Sequence, residues 1–126
     1  MSPKKIKILL VEDDLDQVMM YQVEAKNQGV KLLTASKKDE ALSLAEKEKP
    51  DLILLDMLLG EIKGTEILKD LKKNPKTKSI EVIFLTNFKN EELCKKSIQM
   101  GASEYIIKSD YIPQEVLQKV IKKVKK

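Results

Sequence analysis

The chain has 126 residues, 42% of them hydrophobic and 35% charged, with a net charge of +4, which fits one soluble, globular domain over residues 1–126. With no histidine and a single cysteine, Cys94, it excludes an internal disulfide, a Cys/His metal cluster and a Ser-His-Asp triad. No long apolar run or apolar leader follows Met1-Ser2-Pro3-Lys4-Lys5, so neither a membrane span nor a secretory signal is expected, and the cytoplasm is the expected location.

The first apolar run, Ile6–Val11, leads into Leu15, Val18, Met19 and Val23 at helical spacing, with Gly29 as a left-handed stop. The second run is Lys31–Ala35. After it Ser36 and Asp39 have capping-box spacing, and Pro50 follows the second helix. The third run, Asp51–Leu55, is followed by a helix expected from about Thr65 to Lys73 and closed by Asn74-Pro75. The fourth, Glu81–Leu85, precedes a helix capped by Asn90, ending near Gly101 and carrying Cys94 as a packed or half-buried residue. The fifth run is Glu104–Ile107. Pro113 then suits the first turn of a last helix with Val116, Leu117, Val120, Ile121 and Val124 as its apolar stripe.

Near-continuous apolar runs are expected of parallel strands covered on both faces. Five strand–helix repeats predict a doubly wound α/β sandwich around a parallel sheet. Every basic residue is lysine, aromatics are 4%, and the lysines are scattered. Direct nucleic-acid binding is therefore not expected. Lys122, Lys123, Lys125 and Lys126 suit the end of the last helix, where cations meet the negative pole of the macrodipole.

The polar residues that follow the strands carry the functional signal. Glu12, Asp13 and Asp14 follow the first strand, Asp56 the third, Thr86 the fourth and Lys108 the fifth. In a parallel sheet these ends share one edge, where open α/β folds bind ligands. Acidic residues there often cap the next helix, and Asp14 fits that role. Asp56 fits it poorly, because no helix is expected for about eight residues. Gathered carboxylates repel unless a cation neutralises them. Oxygen ligands completed by water suit Mg²⁺, and a lysine beside them can hold an anion by charge. Carboxylate, magnesium, lysine and hydroxyl together suit phosphoryl transfer to a carboxylate oxygen.

Four segments resemble the receiver domain of two-component response regulators. They are Lys7-Ile8-Leu9-Leu10-Val11-Glu12-Asp13-Asp14, Pro50-Asp51-Leu52-Ile53-Leu54-Leu55-Asp56, Val82-Ile83-Phe84-Leu85-Thr86, and Gly101-Ala102-Ser103-Glu104-Tyr105-Ile106-Ile107-Lys108, with Gly64 also in place. The resemblance implies a flavodoxin-like fold of strand order 2-1-3-4-5 and a switch in place of a multiple-turnover enzyme. It implies that Asp56 is the phosphoacceptor, served by a histidine kinase, a phosphotransfer protein or a small phosphodonor. Asp13, Asp56 and the backbone carbonyl of Leu58 would bind Mg²⁺, with Glu12 acting through a water. Lys108 would pair with a phosphoryl oxygen, Thr86 would swing to another, and Tyr105 would turn inward behind it. That movement would reshape the face of the fourth helix, fifth strand and fifth helix for a downstream protein or output domain, in a monomer or a phosphorylation-dependent dimer.

The pattern departs from the family at four positions. Ser109 stands where most receivers have proline, usually after a cis peptide, and a trans bond is expected here. Gly60 replaces a frequent proline and is expected to loosen the loop after Asp56. Asn87 replaces a small residue and is expected to narrow the phosphoryl site. Leu58 offers no polar group to position a hydrolytic water, so slow self-dephosphorylation is expected. The rival readings are an unphosphorylated pseudo-receiver serving as an interaction module and, more remotely, a magnesium-dependent phosphohydrolase.

Overall fold

A computed structural model describes residues 5–125; the leader reading on Met1–Lys4 and the helix-end reading of Lys126 lie outside the described residues. The chain runs β1 (Lys7–Val11), α1 (Leu15–Asn27), β2 (Lys31–Ala35), α2 (Lys38–Glu48), β3 (Leu52–Leu55), α3 (Gly64–Lys73), β4 (Glu81–Thr86), α4 (Glu91–Gln99), β5 (Glu104–Ile107) and α5 (Pro113–Val124). A minor hairpin pairs Leu58–Leu59 with Ile62–Lys63 between β3 and α3. The five long strands form one parallel sheet, doubly wound as expected from the alternation, in the order β2-β1-β3-β4-β5 that the resemblance implies.

Strand period two divides the core into layers. Leu9, Val11, Ile53, Leu55, Val82 and Phe84 face one way, against Ala41 and Ala45 of α2 and Ile67, Leu68 and Leu71 of α3. Ile8, Leu10, Leu52, Leu54, Ile83 and Leu85 face the other, against Tyr21 and Ala25 of α1 and Val116, Leu117 and Val120 of α5. All four residues of β3 are fully buried, each contributing about 1.5–3 kcal/mol from burial. That inner strand is thereby held rigidly, and Asp56 is the next residue.

Most of the punctuation forms as expected. Gly29 has φ +72, Asn90 Oδ1 accepts the Leu93 N–H at 3.0 Å, and Pro113 opens α5. Cys94 is half-buried on α4. Asp14 caps α1 by accepting from Asp16 N–H at 2.9 Å and Gln17 N–H at 3.3 Å.

Two expectations are corrected. The buried stripe of α1 is Val18, Tyr21 and Ala25, whereas Leu15, Met19 and Val23 are 74%, 61% and 62% exposed. Both sets have helical spacing, and the contacts with α5 and β2 decide which one turns inward. No Ser36/Asp39 capping box forms: Lys37 is the N-cap without a side-chain bond. Glu40 reaches back instead, its Oε1 accepting the Ser36 N–H at 2.8 Å. Gly60 has a defined place in its loop. With φ +60 it occupies the first turn position of the minor hairpin, where a type II′ turn takes glycine. Among the described residues no helix is long and apolar enough to cross a membrane.

Candidate functional site

Sheet register builds the site. Val11 is paired with Leu55, and Leu55 with Phe84, so Glu12 and Asp56 leave the sheet side by side. The Asp56 N–H donates to Val11 O at 3.1 Å and the Glu12 N–H to Ala35 O at 2.9 Å, fastening both residues to the strand edge. Thr86 pairs with Ile107, which places Lys108 one residue beyond. Glu12, Asp13, Asp56, Thr86 and Lys108 then line one pocket of about 400 Å³, together with Asn87 and Phe88.

Lys108 is the electrostatic centre of this pocket. Its ammonium donates to Glu12 Oε1 and, at 3.2 Å, to Asp56 Oδ2. The three side chains are only 11%, 3% and 12% exposed. Burial raises the Glu12 carboxyl above its usual value, since the charge of Asp56 adds to desolvation and the Lys108 hydrogen bond offsets them only in part. Burial alone would lower the Lys108 ammonium, but its bond to Glu12 and the charge of Asp56 outweigh that, and its affinity for the proton is raised. The other Asp56 oxygen, Oδ1, accepts the Leu58 N–H at 3.3 Å, so the loop that follows orients the carboxylate.

Two negative charges, on Glu12 and Asp56, face the single positive charge of Lys108, and the exposed Asp13 adds a third at the mouth. Among the described residues no three acidic, histidine or cysteine side chains converge into a ready metal cage. Mg²⁺ does not require one, because it keeps several waters and takes one or two carboxylates. An all-oxygen donor set with surplus negative charge fits that ion.

Thr86 and Tyr105 meet through one residue's backbone. The Phe88 N–H donates to Thr86 Oγ1 at 3.2 Å, and the Tyr105 hydroxyl donates to Phe88 O at 2.6 Å. The Tyr105 ring lies tilted against Phe84, with centroids 5.8 Å apart. The resemblance implied the pairing of Thr86 with Tyr105 but not Phe88 as the link between them, since a backbone relay leaves no side-chain signature. Tyr21 was also missed, although its spacing from Val18 and Ala25 was a usable signal. It is buried beneath the site, and desolvation together with the Glu12 charge pushes its hydroxyl up to about 12.

The departures from the family pattern resolve individually. All described peptide bonds are trans, that before Ser109 included. Asn87 lines the pocket, and its Oδ1 is occupied by the Ser109 N–H at 2.8 Å. Leu58 is 47% exposed and presents an apolar side chain to the pocket.

Comparison with known proteins places this geometry among relatives. Residues 8–122 match the family described as the response regulator receiver domain. The chain is 37% identical over 115 residues to the alkaline phosphatase synthesis transcriptional regulatory protein PhoP of Bacillus subtilis, covering 90% of this chain and 46% of that protein. It thus spans less than half the length of each of the first curated relatives it matches. Among solved structures, the CheY-like receiver domain protein of Methanospirillum hungatei superposes with a TM-score of 0.86 at 27% identity, covering 97% of this chain and 95% of that one. The chemotaxis response regulator CheY4 of Vibrio cholerae does so with a TM-score of 0.84 at 26% identity, covering 96% and 99%.

Proposed function

The chain belongs to the response regulator receiver domain family, and on that premise we propose that it is a cytoplasmic phosphoacceptor switch in which Asp56 is phosphorylated by a histidine kinase, a phosphotransfer protein or a small phosphodonor. The observation that carries this reading is the position of Asp56. Its carboxylate is nearly buried at the carboxyl edge of the sheet, bonded to Lys108, and lines the acidic pocket.

In the transfer, a carboxylate oxygen of Asp56 forms a P–O bond as the donor's bond to phosphorus breaks, the electron pair leaving with the donor. The protein's part is to position groups and stabilise charge on the transferred oxygens. Asp13, Asp56 and the Leu58 carbonyl, with Glu12 through a water, would hold Mg²⁺, which when bound supplies positive charge against the phosphoryl oxygens. Lys108, already on Asp56 Oδ2, follows the negative charge outward as the carboxylate becomes an acyl phosphate. Thr86 Oγ1 accepts from Phe88 and keeps its own proton for a phosphoryl oxygen. A turn of Thr86 toward that oxygen pulls on Phe88, whose carbonyl holds Tyr105, so the disturbance passes to α4, β5 and α5. Phosphorylation biases a surface by such local charge changes. A downstream protein or an output domain reads this face, as a monomer or a phosphorylation-dependent dimer.

Incubation with Mg²⁺ and acetyl phosphate, followed by intact-mass measurement, tests the reading. A persistent single phosphoryl adduct is expected, and Asp56→Asn should abolish it. An unmodified wild type under several donors would favour the pseudo-receiver, and steady donor hydrolysis without adduct would favour the hydrolase. Slow loss of the adduct is expected as well, because Leu58 places a hydrocarbon where a hydrolytic water would need a partner. A half-life of seconds in Mg²⁺ buffer would contradict this, and Leu58→Asn should shorten whatever half-life is measured.

A further inference from the structure

Two departures from the family pattern lie 22 residues apart in the chain, yet they meet in space. Asn87 follows Thr86 directly, and Ser109 follows Lys108 directly. The Ser109 N–H donates to Asn87 Oδ1 at 2.8 Å, a bond that a proline at position 109 could not make. It ties the loop leaving β4 to the turn leaving β5, across the sheet edge that carries the site.

This tie stands in a wall between two cavities. Gln17, Asn87 and Lys108 line both the acidic pocket and a second pocket of about 150 Å³. Tyr21, Ser109 and Tyr111 line only the second. Lys108 has a long, flexible stem, so its ammonium has two spaces within reach. On one side it meets Glu12 and Asp56. On the other lies the second space, whose lining carries no carboxylate. Where Nζ rests depends on how firmly the Lys108 main chain is held. On its carboxyl side, Lys108 enters a single turn, Lys108–Asp110, closed by the Tyr111 N–H on Lys108 O at 3.2 Å. The bond to Asn87 holds that turn to the rest of the site.

We propose that Asn87 is a positioning residue for phosphorylation of Asp56: by accepting the Ser109 N–H it anchors the backbone beside Lys108 and keeps the ammonium on the Asp56 side of the wall. The inference rests on the phosphoacceptor reading of Asp56. It gives the two departures a single explanation, in which the asparagine supplies by hydrogen bond a restraint on a turn whose donor is free to use it.

The test compares wild type with Asn87→Ala, Ser109→Pro and the double variant in the full chain. Amide exchange at Ser109, read by NMR on the unphosphorylated protein, should rise about fivefold in Asn87→Ala, the size expected of one ordinary hydrogen bond. Unchanged exchange overturns the proposal. Adduct formation from acetyl phosphate at saturating Mg²⁺ should slow about fivefold in each single variant, and the double variant should be no slower than the slower single. A wild-type rate in Asn87→Ala, or losses that multiply in the double variant, also overturns it. Mg²⁺ affinity, titrated separately, should not change, and a weakened affinity with a wild-type rate at saturating Mg²⁺ would show that Asn87 acts on the metal site and overturn the proposal. A merely structural role would lower stability without moving the rate at saturating Mg²⁺. If the wild type forms no adduct with any donor, the phosphoacceptor reading fails and this one with it, while the exchange result still shows separately whether the anchor exists.

Discussion

Lys108→Ala is expected to destabilise the domain by about 3 kcal/mol at neutral pH, read from urea denaturation in the absence of divalent cations. The ammonium is bonded to two carboxylates, and all three side chains are almost out of solvent. Removing one member of a buried pair leaves uncompensated charge, a loss of about 3–5 kcal/mol. The low end applies because the pocket mouth remains open to water. The pH dependence follows from the two raised groups. Lys108 binds its proton more tightly when folded, so its contribution is complete below the ordinary lysine range, near 10.4, and is lost as pH rises through the higher folded value. The gap between wild type and variant should therefore be full at pH 7 and close only in strong alkali. At the acid end, Glu12 also holds its proton more tightly when folded. In the variant the lowering effect of the Lys108 hydrogen bond is gone, so protonation of Glu12 relieves the repulsion and the gap narrows as pH falls. Added Mg²⁺ should stabilise the variant by binding the folded form. Equal stability of the two proteins across this range would remove Lys108 as the countercharge of the site.

Gly64→Ala is expected to cost about 3 kcal/mol, although the change adds one methyl group at the start of a helix, where alanine is normally the better residue. A Cβ on Gly64 would overlap the main-chain oxygen of Asp56 and lie 2.7 Å from Phe84 Cε1 and 3.1 Å from Met57 Cα. The backbone oxygen cannot rotate aside, and the Gly64 N–H is bound to Met57 O at 2.6 Å, holding the two segments at this distance. Overpacking of this kind costs about 1–3 kcal/mol and occasionally more. Relief would require Asp56 or Phe84 to move, so the rate of phosphoryl adduct formation should fall along with stability. A variant with wild-type stability and wild-type rate would mean that α3 docks less tightly on Asp56 than this geometry shows.

The residues that could be read from the chain owe their roles to local rules. Leu52–Leu55 is a buried strand because four consecutive apolar residues suit a strand covered on both faces, and Asp56 stands at its carboxyl end wherever that strand lies. Asn90, Pro113 and Gly29 act within a turn of where they stand. Asp14 likewise capped α1 as its sequence neighbours implied. The gathering of Glu12, Asp56, Thr86 and Lys108 could be anticipated because parallel strands bring all their carboxyl ends to one edge.

What the chain alone left open was every choice between locally equivalent partners. Leu15, Met19 and Val23 form as good a helical stripe as Val18, Tyr21 and Ala25, and only docking against α5 and β2 turns the second set inward. Glu40 rather than Asp39 reaches Ser36, because the helix begins after Lys37. Gly60 becomes a hairpin turn residue because Leu58–Leu59 finds Ile62–Lys63 as a partner. Asn87 and Ser109 were two separate departures until the register of β4 with β5 set them 2.8 Å apart. Strand ends, caps and turns depend on neighbours in sequence, so a sequence determines them by itself. Which apolar face is buried, and which distant polar groups come within hydrogen-bond reach, depends on packing, and only the tertiary structure decides it.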